Sequence, residues 1–290
     1  MRGAKPESAI EQAIERDGVI AKGERIVVAC SGGADSVALA AALAAVRVPM
    51  QLELTLAYVH HGTRESAWQD ECVTLRIGAT FGLPVAVLPL APADRDEAAL
   101  RDERYAALAR LAAERGATAV ATAHHREDQS ETVLLALFRG AGPEGLAGMR
   151  PRRPLAPGLD LARPLLNIGA EELRAYAHAH ALPYAVDPTN ADASLRRNAV
   201  REALVALRPL FPGIDAAIAR AAELTGEDLE GTGRAGLRRQ VRLALGEQEG
   251  LRDVDFAHVE AAVRAMERGS SGRFFMKPGV ELRIERGNIT

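Results

Sequence analysis

The stretch RIVVACSGGADSVALAAALAAV, residues 25–46, joins a short β-branched apolar run to an alanine-rich one through six small residues. Arg25–Cys30 has strand length, and Ser36–Val46 has helical length with aliphatic positions three and four apart, so the order is strand, glycine turn, helix. Gly32 and Gly33 permit unusual dihedrals and let backbone N–H groups approach an anion, and the amino end of the following helix adds partial positive charge. Ser31, Gly32, Gly33, Ala34, Asp35 and Ser36 therefore form a candidate phosphate cradle. The turn lacks the lysine of GxxxxGK[ST] and the spacing of GxGxxG, which argues against a phosphoryl-transferring P-loop and a dinucleotide fingerprint. A carboxylate beside a phosphate is repelled unless a cation bridges the two, so Asp35 implies Mg2+. The plainer alternative is a glycine turn in which Asp35 and Ser36 cap a helix.

Outward from this turn the pattern repeats. Leu52–Val59, Pro84–Leu90 and Thr118–Ala123 have strand length and turn-like flanks, and Ser66–Phe81, Arg95–Arg115 and Gln129–Phe138 have helical length and spacing. Alternating strands and helices predict an α/β fold, a doubly wound parallel sheet, with its ligand beyond the carboxyl ends of the strands. From Gly140 to Pro164 glycine and proline interrupt every pattern, and the expectation there is a long irregular connection. A helix is expected over Gly169–His180. After DPTN, with Asp187 and Pro188 in a turn, Ser194 caps a helix that runs to Leu207. RPLFPG, residues 208–213, breaks the chain, so the expected domains are 1–208 and a smaller, mostly helical 214–290 ending in short strands.

Two further loops fall on the same sheet edge. HHREDQSET places Glu127 and Asp128 at a helix entry near Asp35, where Asp128 is a second candidate Mg2+ ligand or orients an attacking group. Glu131 and Thr132 read as the beginning of that helix, and acidic residues in a first turn are also ordinary dipole partners. His124 and His125, adjacent on an extended segment, would point to opposite faces, which argues against zinc. HHGTRES offers His60, His61 and Arg64 where adenine or ribose would lie, or else a solvated loop. Arg101 and Arg104 share a helix face that suits polyphosphate or RNA, or a salt-bridged surface. Arg196, Arg197, Arg201 and Arg208, opposed between 193 and 210 only by Glu202, form the best candidate RNA surface.

Composition sets the outer bounds. The 290 residues are 48% hydrophobic and 26% charged, with net charge −3, which fits a globular chain of about two domains and excludes disorder and collagen. No run approaches a spanning helix, and the N-terminal residues have no apolar signal core, so a cytoplasmic protein with no membrane contact is expected. Two cysteines, Cys30 and Cys72, are too few for a disulfide framework, a four-cysteine zinc ribbon or a cysteine-ligated cluster. Of 36 basic residues only Lys5, Lys22 and Lys277 are lysine, a chain-wide bias that by itself says nothing about a phosphate partner.

SGGADS resembles the PP-loop of adenylating enzymes that cleave ATP between the α and β phosphates. Through VHHGTR, ERYAAL, ATAHHREDQSETVLLALFRGAGPEGLAGM, ARPLL and DPTNADASLRRN, between about Glu24 and Leu207, the chain is similar to the tRNA(Ile)-lysidine synthetase family. The resemblance implies that ATP adenylates the wobble cytidine of the CAU anticodon of tRNA(Ile). The ε-amine of free L-lysine then displaces AMP to give lysidine. By the same motifs, Ser31–Ser36 bind ATP and Asp35 and Asp128 are the essential carboxylates. Arg101 and Arg104 lie on the basic helix, and Arg196, Arg197 and Asn198 contact RNA. A homodimer is a possible assembly. The chain departs from the family at His60, where asparagine is usual, at Thr63 and at Ala199. A PP-loop tRNA thiolase, which would draw on more cysteine, and a non-catalytic tRNA-binding module are the alternative readings.

Overall fold

A computed structural model describes residues 6–60, 67–90, 97–185, 195–230, 234–246, 256–277 and 280–289. Arg64, Asp187, Pro188 and Ser194 lie outside the described residues. The elements in order are α1 (Pro6–Arg16), β1 (Arg25–Ala29), α2 (Ala34–Val46), β2 (Glu53–His60), α3 (Ala67–Phe81), β3 (Val85–Pro89) and α4 (Glu97–Arg115). They continue with β4 (Ala119–Ala121), α5 (Arg126–Phe138), α6 (Pro143–Leu146), β5 (Arg152–Ala156), β6 (Leu159–Ala162), α7 (Ala170–Ala179) and α8 (Leu195–Leu207). The chain closes with α9 (Ile214–Glu230), α10 (Arg234–Gly246), α11 (Phe256–Glu267), β7 (Gly272–Lys277), β8 (Val280–Glu285) and β9 (Asn288–Ile289).

Alternation along β1 dictates how the main sheet is covered. Ile26 and Val28 point into a core shared with α1, α2, α3 and α7, while Val27 points into a second core with Tyr105, Leu108, Leu111 and Ala112 of α4. A strand buried on both faces reads as the continuous apolar run that the sequence carries. The sheet order is β3-β2-β1-β4-β6-β5, parallel except for β5, with Val28 paired to Leu56 on one side and Ala121 on the other. From β1 the chain winds outward through β2 and β3 and then returns to β4 on the opposite side. A crevice therefore opens beyond the carboxyl ends of β1 and β4. Ten of the thirteen residues of α2 are buried, so this alanine-rich helix is packed all round, and no described helix is long and apolar enough to cross a membrane.

The expectation of an irregular connection over Gly140–Pro164 is wrong. The segment supplies α6 and the hairpin β5–β6, and β6 pairs parallel with β4 through Val120–Leu161 and Ala121–Ala162. Pro157 and Gly158 make the tight connection, with Gly158 at φ +71°, the left-handed conformation a Pro-Gly turn requires. Pro154 is tolerated because β5 is the sheet edge. The helix after β4 also begins at Arg126 rather than Gln129, which places Glu131 inside it.

The chain divides into two compact units, one of residues 1–135 with 149–219 and one of 136–148 with 220–290. In the second, α10 and α11 pack on the antiparallel sheet β7-β8-β9 around Val241, Val259, Val263, Met276, Leu282 and Ile284. Glu260, between Arg234 and Arg238, joins the two helices.

Candidate active site

The glycine turn is held from three directions. The Ser36 hydroxyl accepts from the Ser31 N–H at 3.1 Å and donates to the Gly33 carbonyl at 2.9 Å, so this side chain staples the turn. The Ala185 N–H donates to the Gly32 carbonyl at 2.9 Å. Gly32 has φ +82°, and a Cβ there would lie 2.7 Å from the Asp70 carbonyl oxygen of α3. Gly33, in contrast, has extended backbone, and its Cβ would meet only Ser31 Oγ at 3.7 Å. Gly33 is the N-cap of α2 and provides no side-chain hydrogen bond. The first-turn N–H groups of a buried helix thus lack the acceptor a serine or aspartate cap would give, and an anion is the natural substitute.

Beside this turn the carboxyl end of β4 brings in a second acidic group. The His125 Nε2 lies 3.7 Å from Asp35 Oδ2 and 3.5 Å from Asp128 Oδ2, and its Nδ1 lies 3.0 Å from Glu127 Oε2. Asp128 is fixed by the His125 N–H at 3.1 Å. Burial pushes the Asp35 carboxyl up, a shift that His125 opposes and that Asp128 and Glu127 reinforce. Burial alone would lower His125, but Glu127, Asp128 and Asp35 together raise it above the ordinary histidine value. Glu127, despite burial, is held down to about 2 by the adjacent His125 ring and by a hydrogen bond from the Ala170 N–H. That bond, 2.9 Å long, makes Glu127 a cap for α7. The site is therefore a cluster of crowded carboxylates partly compensated by one imidazole, next to an uncapped helix N-terminus.

Mg2+ binds through one or two carboxylates with waters and substrate phosphates, and does not need a cage. Asp35 and Asp128, hard oxygen donors converging on one point, fit that pattern. Among the described residues no group of three or more His, Cys, Asp or Glu is arranged to hold a metal.

The remaining candidates fall in several places. His60 ends β2, with its ring edge-on to Tyr58 at 6.1 Å. Arg101 and Arg104 both approach the Tyr105 ring on α4. Arg196 is exposed at the start of α8. Arg197 and Arg201 instead both reach Glu131, at 3.1 and 2.8 Å, and the Glu131 side chain is only 4% exposed. Asn198 is half-buried on the same helix. A charge count over 193–210 could not see Glu131, which is 66 residues from Arg197 and 70 from Arg201. The available signal was its position three residues after Asp128, on the same helix face. His125, read in the sequence only as a rejected zinc ligand, and Arg163, read there only as one charge of a basic stretch with Arg139, Arg150, Arg152 and Arg153 against Glu144 and Asp160, are the other polar groups whose setting the sequence did not show.

A family model described as a PP-loop domain matches residues 4–207. A tRNA(Ile)-lysidine synthase of Salinispora arenicola is 42% identical over 259 residues, covering 87% of this chain and 75% of the relative. One of Ralstonia nicotianae is 42% identical, covering 68% of this chain and 44% of the relative. One of Salinispora tropica is 46% identical, covering 70% and 62%. Among solved structures, the U34-tRNA thiolase NcsA of Methanococcus maripaludis superposes with TM-score 0.64 at 18% identity, covering 75% of this chain and 76% of that one, a likeness of fold.

Proposed function

We propose, from the premise that this chain belongs to the tRNA(Ile)-lysidine synthase family of PP-loop proteins, that it ligates free lysine to the wobble cytidine of a CAU-anticodon tRNA(Ile). One observation carries the reading at the level of geometry. The uncapped N-terminus of α2 and the carboxylates of Asp35 and Asp128 meet at the switch point between β1 and β4. In this scheme backbone N–H groups around Gly32 and Gly33 receive the β and γ phosphates, and the cytosine carbonyl oxygen attacks the α phosphate. Pyrophosphate leaves. An amide-like oxygen is a poor leaving group until it carries AMP, which is why the base is activated before the amine arrives. The lysine ε-amine, unprotonated, then adds to the activated ring carbon and AMP departs.

Asp35 and Asp128 would hold Mg2+, which when bound neutralises charge on the phosphates. The His125 ring holds both carboxylates toward one point by charge, and its backbone N–H hydrogen-bonds Asp128. Arg101, Arg104 and Arg196 are assigned to RNA or substrate, and Arg64 with His60 to the nucleoside. Arg197, Asn198 and Arg201 are assigned to the RNA side of the crevice, with Glu131 fixing the two arginines. The region 214–290 is assigned to tRNA contact, a reading supported by the exposed Arg239 on α10.

Incubation of the protein with ATP, Mg2+, labelled lysine and CAU tRNA(Ile) should give label in RNA, with AMP and pyrophosphate released in equal amounts. Omitting lysine should leave pyrophosphate release only, and omitting tRNA should abolish both. Absence of label in a tRNA that a reference enzyme modifies would refute the reading.

A further inference from the structure

Arg163, which follows β6, is 2% exposed; its Nη1 donates to the Arg150 carbonyl at 2.7 Å and its Nε has no hydrogen-bond partner. A guanidinium held that deep is costly unless an anion faces it. Its surroundings add to the cost. Tyr105, itself 7% exposed, interacts with Arg163, and the guanidinium carbons of Arg101 and Arg104 lie 5.6 Å from the Tyr105 ring centre and that of Arg153 lies 6.0 Å away. Among the described residues no carboxylate is in ion-pair range of Arg101, Arg153 or Arg163. Burial pushes the Arg163 guanidinium down, and Arg153 and Arg101 push it further. The same field reaches His124, lowered to about 4 by burial and then by Arg163, Arg101 and Arg104 against the opposing pull of Asp128. Arg101, Arg153 and Arg163, from α4, β5 and the end of β6, thus converge near one aromatic ring without a carboxylate partner among the described residues, a convergence suited to a multiply bonded oxyanion.

We propose that Arg163 is the floor of a phosphate site, walled by Arg101 and Arg153 around Tyr105. The expected source of the phosphate is the phosphodiester beside the base being modified. The proposal rests on the tRNA reading above. The glycine turn leaves β1, whereas Arg163 leaves β6, two strands away in the order β1-β4-β6, a separation of about 10 Å. Asp128 and His124 belong to the β4 connection between them. A nucleotide seated at α2 and an RNA strand entering over β6 would therefore flank Asp128 from opposite sides. A lone amino-acid carboxylate brings one charge to this cluster, while an RNA strand brings successive phosphates.

The full chain carrying Arg153→Gln, Arg101→Gln, Arg163→Lys or Arg163→Gln is titrated with a CAU anticodon stem-loop at several salt concentrations, with a non-hydrolysable ATP analogue and with lysine. Each glutamine variant is expected to bind the stem-loop about tenfold more weakly with the salt slope reduced by about 1, Arg163→Lys is expected to weaken binding with the slope unchanged, and all are expected to keep the ATP-analogue affinity. A neutral methylphosphonate next to the target cytidine should weaken the wild type by a similar factor and weaken the variants no further. Loss of affinity for the ATP analogue alone would keep the phosphate site and assign it to the nucleotide. Unchanged affinity for both, or a loss for lysine alone, overturns the proposal. Should Arg163→Gln fail to fold, the half-buried Arg153 and the modified RNA still decide. Binding is read without turnover, so a wild type that incorporates no lysine defeats the functional reading, not this site.

Discussion

Gly32 and Gly33 sit side by side in the sequence and face opposite physical demands. Gly32→Ala must place a Cβ at φ +82° and 2.7 Å from backbone of α3, whereas Gly33→Ala meets ordinary contact only. The first should cost about 1–3 kcal/mol of stability and weaken nucleotide binding; the second should leave the denaturation midpoint within error. Chemical denaturation of the two variants tests the contrast, and equal losses would contradict it. Asp35→Asn and Asp128→Asn remove charge without volume. Pyrophosphate release should fall by about a hundredfold or more in each. The melting temperature of Asp35→Asn should hold or rise, because crowding with Asp128 and Glu127 is relieved. Wild-type rates in either variant would remove these carboxylates from the chemistry. The glycine turn and its aspartate were legible because the whole cradle lies within six consecutive residues. The Glu131 partnership with Arg197 and Arg201 was not, since it exists only where α5 and α8 meet.

At the scale of elements, the hairpin β5–β6 is fastened to the first strand's entry by one side chain. Arg152 donates to Glu24 Oε1 at 2.6 Å and Oε2 at 3.2 Å, to Asp160 Oδ2 at 2.7 Å and to the Val19 carbonyl at 3.1 Å. Arg152→Ala should therefore cost about 2 kcal/mol, and Arg152→Lys should recover little, because a single ammonium cannot reproduce the fork. Burial would raise the Glu24 carboxyl, but the Arg152 hydrogen bond and the Ala21 N–H hold it below its ordinary 4.5. A lowered folded-state value means that this contribution is complete above pH 4.5 and fades as the pH falls. Glu24→Gln should thus destabilise the protein at pH 7 and progressively less towards pH 3. Parallel loss at both pH values would show that the pairing is not the source. The hairpin itself was hidden in the sequence by glycine and proline density, although Pro157-Gly158 is the tight turn that builds it.

Among the described residues, the cores on the two faces of the main sheet and the core of residues 220–290 fall in two different compact units. Calorimetry should resolve two transitions. A nucleotide analogue at a hundred times its dissociation constant should stabilise the first by about 2.7 kcal/mol and leave the second in place. Met276→Ala, at a position with 0% exposure, should do the reverse, lowering the second transition by about 2–5 kcal/mol. A single transition shifted alike by both would show that the cores unfold as one.

What the sequence settled alone is everything encoded over short distances: the strand, turn and helix around Ser31–Ser36, the parallel α/β class, and the placing of Asp128 on the same sheet edge as Asp35. Periodicity and turn chemistry are local, so they can be read in order along the chain. Tertiary structure decided which charges meet. It set His125 among three carboxylates, closed Arg197 and Arg201 on Glu131, and buried Arg163 beside Tyr105 with no carboxylate in ion-pair range among the described residues. Coulombic pairing and desolvation depend on separation in space, and β-strand order brings residues together that no spacing rule connects.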